Sequence, residues 1–163
     1  MPEPLAARLV ALLRERGLTL ATAETDTGGL IGSWLTDVPG SSAVFIGGVT
    51  AYHSGPKMGL LGVPRALLHE HGSVSAAAAH ALAEGARRAL GADIAVAESG
   101  ITGPTGGSDA RPVGTVWIAC AGPGARLVAE RRVWILDREG NKRRTVVRAL
   151  QMVIEAAQSV PRA

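Results

Sequence analysis

Apolar residues Leu5, Leu9, Val10, Leu12 and Leu13 recur at helical spacing, and the stripe stops near Gly17, a residue suited to the left-handed end of a helix. The period then changes. LTLATAE (18–24) places threonine at alternate positions and predicts a short strand. TDTGG follows, and LIGSWLTDV returns to a helical pattern closed by Pro39 and Gly40. SSAVFIGGVTAYH (41–53) is rich in β-formers, and its Gly47 and Gly48 predict a bulge or a close backbone approach. GPKMGLLGV reads as a turn and PRALLHEHG as a short helix. Ser73 or Ser75 then caps an alanine-rich helix running to Leu90. DIAVAESG is a compact buried strand, and ITGPTGGSDARPVG is a loop. GTVWIACA and ARLVAERRVWIL, joined through Gly122, Pro123 and Gly124, predict an antiparallel hairpin. A last helix runs from about Glu139 to Gln158.

Strands alternate with helices over the first two-thirds, and a hairpin follows. This order predicts an α/β protein, a three-layer α/β/α sandwich around a mixed, mostly parallel sheet. No linker, repeat or low-complexity stretch divides residues 1–163, so a single domain is expected.

Composition adds three points. Hydrophobic residues make up 47% of the chain but aromatics only 3%, so alanine, valine and leucine must fill the core. Charges or glycines interrupt every apolar run before the ~20 residues a membrane span needs, and MPEPLAARLVALLRERG does not read as a secretory signal. Cys120 is the single cysteine, which fits a reducing cytoplasm and a buried strand position. The net charge is +3, and every basic residue except Lys57 and Lys142 is an arginine. Lysine is the one of the two that can lose its proton at tolerable cost, so Lys57 stands out.

In open α/β sheets the ligand crevice lies beyond the carboxyl ends of the strands. Three glycine-containing segments gather there on this reading: TDTGG, the pair PGSS and GG around the second strand, and SGITGPTGG. One such loop is a tight turn; three at one end of a sheet predict a pocket for a small polar, anionic ligand. Neither glycine loop is a P-loop or a dinucleotide fingerprint. Asp26-Thr27-Gly28 matches the short aspartic-protease signature, but it occurs once and leads into a helix, so Asp26 or Thr27 reads as an N-cap. His69 and His71 sit two apart around Glu70, off a common helical face, and read as a solvated pair and not as metal ligands. Arg131, Arg132, Arg138, Lys142, Arg143, Arg144 and Arg148 concentrate positive charge near the C-terminus. Without stacking aromatics or a groove-reading motif, that segment reads as a solvated helix face and not as a nucleic-acid surface. Thr25, at the strand-to-helix turn, is either a helix cap or a nucleophile, with Lys57 and Tyr52 as candidate proton acceptor and relay.

TAETDTGG, DVPGSSAVFIGGVTAYHSGPK, HGSVS, ESGITGPTGG, PVGTVWIA and the DR before the last helix occur in the order of the CinA C-terminal domain family, which this chain resembles from about Leu5 to Ala157. The resemblance is to the stand-alone form, and the enzymatic members of that family are nicotinamide-nucleotide amidohydrolases. It implies metal-free deamidation of nicotinamide mononucleotide to nicotinate mononucleotide and ammonia, with no cofactor, in a homo-oligomer, expected to be a dimer. The family nucleophile is the serine of a TAESCTGG motif, which falls on Thr25; its tyrosine falls on Tyr52 and its lysine on Lys57. The expected substrate-binding set is Asp26, Thr27, Gly28, Gly29, Ser42, Gly48, Gly100, Thr102, Gly103, Gly106, Gly107 and Arg138. Within it, backbone N–H groups near Thr27–Gly29 would hold the oxyanion, and the Gly100–Gly107 loop ribose or phosphate. Three departures stand out: Thr25 for serine, Asp26 for the usual cysteine, and Leu136 for the usual glycine before Asp137. A second reading therefore stays open, a CinA-like domain that binds a pyridine nucleotide or a protein partner without turnover.

Overall fold

The computed structural model describes residues 3–124 and 129–161. Its elements are α1 (Glu3–Arg16), β1 (Leu20–Glu24), α2 (Leu30–Thr36), β2 (Phe45–Thr50), α3 (Ser54–Gly59), α4 (Arg65–His71), α5 (Ala76–Leu90), β3 (Ile94–Gly100), β4 (Thr115–Ala121), β5 (Glu130–Val133) and α6 (Arg138–Ser159). The strands form one sheet in the order β2-β1-β3-β4-β5. β2, β1 and β3 run parallel, β4 is reversed against β3, and β5 is reversed against β4, so four of the five strands share a direction. The mixed, mostly parallel sheet of an α/β sandwich is what the alternation of elements predicted.

Two-residue periodicity explains the layers. In β1, β3 and β4, Leu20, Ile94, Val96, Val116, Ile118 and Cys120 face one way and pack with Leu9, Leu13, Ile31, Leu35, Leu150 and Val153 of α1, α2 and α6. The alternate positions are nearly all alanine: Ala21, Ala23, Ala95, Ala97, Ala119 and Ala121. They lie under Ala79, Leu82, Ala83 and Ala86 of α5. Branched side chains fill one layer, and small ones let α5 lie close on the other; each fully buried leucine or isoleucine contributes about 1.5–3 kcal/mol. Burial pushes the Cys120 thiol up to about 12, so it stays an inert core residue. Among the described residues no helix is long and apolar enough to cross a membrane.

Boundaries follow local chemistry. Ser75, of the two serines considered, caps α5 by accepting from the Ala78 N–H at 3.1 Å. The segment 41–53 is shorter as a strand than expected: Ser41–Ala43 form a 3-10 turn, and the register with β1 slips between Leu20 and Ala21, the bulge that the two glycines predicted. The predicted turn at 55–63 contains a helix, α3. Pro56 lies in its first turn, where a missing N–H costs nothing, and this helix carries Lys57 inward. The hairpin is antiparallel as predicted; the start expected for its second strand, 125–128, lies outside the described residues.

The carboxyl ends of β1, β2 and β3 meet at one edge of the sheet. There the 101–114 loop is pinned at its base by Ile101 N–H to Thr115 O (2.8 Å) and Gly114 N–H to Ile101 O (2.7 Å). Gly114 has φ +91 and lies against the Trp134 carbonyl, so only glycine fits.

Candidate active site

Two glutamates organise this edge. Glu24 ends β1 and Glu98 lies near the end of β3. Each is an even number of residues from a core-facing neighbour, Leu20 and Ile94, so both side chains turn to the α2 side of neighbouring parallel strands. They are 2% and 0% exposed, and neighbouring donors satisfy them. Glu24 accepts from the Thr27 hydroxyl (2.7 Å) and the backbone N–H groups of Gly29 (3.0 Å), Ile31 (2.9 Å) and Gly32 (2.9 Å). The positive end of α2 is thereby filled by the protein's own carboxylate. Gly29, at φ +100, is the N-cap and no side chain caps α2, which corrects the assignment of Asp26 or Thr27 as the cap.

Glu98 binds the other side of the same turn. Its Oε1 accepts from Thr25 N–H (2.6 Å) and Thr27 N–H (3.2 Å) and lies 2.6 Å from the Thr27 hydroxyl, whose single proton serves one glutamate at a time. Burial, and then the charge and hydrogen bond of Asp26, push the Glu98 carboxyl well above the usual carboxylate range. With two backbone N–H donors on Oε1, the proton belongs on Oε2. The folded chain therefore holds a proton that the unfolded chain releases near 4.5. The stability linked to Glu98 is complete below that value and is lost as pH rises through the raised one. Glu98→Gln keeps an acceptor for the two backbone donors and an N–H toward Asp26 but cannot titrate. Urea midpoints taken at intervals above pH ~4.5 should fall for the wild type relative to Glu98→Gln. Parallel curves would show that Glu98 titrates normally.

Thr25 and Asp26 come off β1 between these carboxyls. The Thr25 hydroxyl lies 3.2 Å from Asp26 Oδ1 and 3.3 Å from Glu98 Oε2, and it is 5% exposed. Both residues line a cavity of about 410 Å³, with Tyr52, Lys57, Ser99, Gly100, Thr102, Gly103, Gly106 and Arg138 among the other walls. Lys57 is buried on α3, and burial lowers its pKa while Glu98 and Asp26 oppose the shift. Among the described residues no ion pair joins Lys57 to Asp26, and neither Lys57 nor Tyr52 is within hydrogen-bond distance of Thr25. Tyr52 stands at the mouth, where its hydroxyl accepts from Arg138 (3.1 Å), and Arg138 also donates to the Gly103 carbonyl (2.7 Å). Asp137 caps α6 through the Gly140 N–H, which fixes where Arg138 emerges.

Nine of the expected site residues line this cavity: Thr25, Asp26, Tyr52, Lys57, Gly100, Thr102, Gly103, Gly106 and Arg138. Six lie elsewhere. Thr27 is buried between Glu24 and Glu98, and the N–H groups of Thr27 and Gly29 serve those carboxylates, so these two are not free to hold an oxyanion. A Cβ on Gly28 would face Lys142. Ser42 precedes β2, at the opposite end of the sheet from the cavity. Gly48 pairs with Thr22 inside the sheet, and a Cβ there would collide with the Thr22 hydroxyl. Gly107 packs on Pro112 and Val113 of its own loop. Sequence reasoning missed Glu24, Glu98 and Asn141, whose amide holds the Thr102 carbonyl (3.1 Å). The signal was present in LATAE and IAVAESG, each a buried apolar strand carrying one carboxylate. Among the described residues, three of the seven C-terminal cations form ion pairs on the surface: Arg148 with Glu130 and Glu155, Arg143 with Glu139, and Arg132 with Glu130.

The fold and the cavity define an α/β domain with a polar pocket at the carboxyl edge of its parallel strands. The sequence pattern of the CinA C-terminal domain matches residues 2–157, and the chain belongs to that family. A protein from Pseudomonas putida named nicotinamide-nucleotide amidohydrolase PncC is 46% identical over 151 residues, 93% of this chain and 94% of its own. A CinA-like protein of Parasynechococcus marenigrum is 51% identical over 152 residues, 91% of this chain but 36% of its own. This chain spans between 27% and 37% of the length of several such CinA-like relatives. The crystal structure of the competence/damage inducible protein CihA from Agrobacterium tumefaciens superposes with a TM-score of 0.89 at 37% identity, covering 95% of this chain and 94% of that one.

Proposed function

We propose that this chain is an amidohydrolase of nicotinamide nucleotides, converting nicotinamide mononucleotide to nicotinate mononucleotide and ammonia, with Thr25 as the nucleophile. The observation that carries the reading is a buried threonine hydroxyl on the floor of a cavity whose other walls include Lys57, Tyr52 and Arg138. A relative of nearly the same length bears the matching name. Thr25 Oγ1 attacks the carboxamide carbon and forms an acyl-threonine, which water then hydrolyses. Lys57, desolvated and beside the reacting atoms, supplies positive charge to the developing oxyanion in place of the occupied backbone donors. Arg138, the one arginine on the cavity wall among the described residues, offers a guanidinium to the nucleotide phosphate at the mouth, next to the Gly100–Gly106 loop.

Ammonia release from nicotinamide mononucleotide, followed by a coupled glutamate dehydrogenase assay, tests this directly. Turnover of about 1 s⁻¹ or faster is expected, within the ordinary enzyme range. No release above background would end the reading. One observation favours the alternative of binding without turnover: the N–H groups of Thr27 and Gly29 are already engaged. Calorimetry showing nucleotide binding in a chain that releases no ammonia would select it.

A further inference from the structure

A hydroxyl nucleophile needs a neighbour that takes its proton as the new bond forms. Around Thr25 Oγ1 the structure offers two oxygens, Asp26 Oδ1 at 3.2 Å and Glu98 Oε2 at 3.3 Å. Among the described residues no nitrogen base lies within hydrogen-bond distance of that hydroxyl. The two carboxyls are not equivalent. Two backbone N–H groups donate to Glu98 Oε1, so the Glu98 proton sits on Oε2, turned toward Thr25 and Asp26. Asp26 is the member of the pair left to accept, and it also lines the cavity.

We propose that Asp26 is the general base for Thr25, and that Glu98 is a positioning residue that holds Asp26 and the Thr25 backbone in place. This deepens the amidohydrolase reading and rests on it for its substrate. As Oγ1 bonds to the carboxamide carbon, its proton passes to Asp26 and the carbonyl electron pair moves onto oxygen. The tetrahedral adduct then collapses: the C–N bond breaks, and the proton on Asp26 goes to the departing nitrogen, which leaves as ammonia. Water next gives a proton to Asp26 as its oxygen bonds to the acyl carbon. The C–Oγ bond breaks, Thr25 recovers its proton from Asp26, and the product leaves as the carboxylic acid, which gives its proton to solvent. One water is consumed and no other reactant is needed. Charged and titratable groups around Asp26 are Glu98 on β3, Lys57 on α3, Tyr52 and His53 after β2, and Arg138 on α6.

The test is the pH profile of kcat and KM for nicotinamide mononucleotide, with acylation of Thr25 by p-nitrophenyl acetate, read by peptide mass, as a second measurement independent of the nucleotide. Asp26→Asn, nearly isosteric, should lower kcat and the acylation rate by about 100-fold or more, with KM changed by less than about threefold. Wild-type rates should show no alkaline limb that Lys57→Met removes. Glu98→Gln should reduce kcat by less than about tenfold, whereas Glu98→Leu, which offers neither the acceptor nor the donor, should reduce it by clearly more. Asp26-dependent acylation without nucleotide turnover would leave the base assignment standing and overturn only the substrate. The base assignment falls if Asp26→Asn keeps both rates within about tenfold, if the rates follow a Lys57-dependent alkaline limb, or if the wild type is not acylated at Thr25.

Discussion

Glu24→Ala is expected to lower the unfolding free energy by about 3–5 kcal/mol, one of the largest effects any single substitution outside the hydrophobic core should have in this chain. Glu24 is 2% exposed and takes five donors, three of them backbone N–H groups at the start of α2. Alanine leaves those donors facing a void in the protein instead of an oxygen. Each buried donor left unpaired costs about 1–3 kcal/mol, offset where water can enter. Glu24→Gln keeps one acceptor oxygen and replaces the other with a donor facing donors, so it should fall between, at roughly 1–3 kcal/mol. Urea unfolding reads both as a lower midpoint at unchanged slope. A shift for Glu24→Ala below about 1 kcal/mol would mean that α2 starts as readily without its internal anion. The consequence reaches the cavity, because the same turn presents Thr25. Loss of Glu24 should therefore weaken activity in proportion to disorder at 25–29, at temperatures where the rest of the sheet is still folded.

The dependence on Glu24 and Glu98 also explains what could be read from the sequence and what could not. The layers were readable because periodicity is a local property: large aliphatics alternate with alanines in LATAE, IAVAESG and TVWIACA, and each set faces its own helices. The Ser75 cap, the bulge near Gly47 and the hairpin are equally local. α3 was missed because Gly55, Pro56 and Gly59 argue against a helix by propensity, whereas packing of Lys57 and Leu61 into the interior decides it. The TDTGG turn was located but its occupant was not. Thr25 and Glu98 are separated by 73 residues, and only the pairing of β1 with β3 brings them together. A glycine-rich turn before a helix looks like an empty anion cradle in sequence, while here internal carboxylates occupy it. Ser42 failed for the complementary reason. It adjoins the right strand, but at the end where β2 begins, and strand direction places it away from the cavity. Tyr52 and Lys57 did reach the pocket, since both follow the carboxyl end of β2.

Thr25→Ala is expected to reduce ammonia release from nicotinamide mononucleotide by about 10³-fold or more, because it removes the proposed nucleophile. Stability should change by less than about 1.5 kcal/mol, since the hydroxyl makes only two long contacts, at 3.2 and 3.3 Å, and the cavity can admit water to both carboxyls. This separates it from Glu24→Ala, which acts on the turn as a whole. Thr25→Ser keeps the oxygen and removes the γ-methyl that fixes χ1 and crowds approach to a planar amide. With Asp26 and Glu98 still in place to orient it, the serine hydroxyl should match or exceed the wild-type kcat by up to about tenfold. KM should move little in either variant, because the groups proposed to hold phosphate and ribose, Arg138 and the Gly100–Gly106 loop, are other parts of the cavity wall. Equal loss in the alanine and serine variants would mean that the methyl, packed in a 5%-exposed position, shapes the turn and that the hydroxyl does no chemistry. Full activity in Thr25→Ala would assign the attack to water, leaving Asp26 as the residue that activates it.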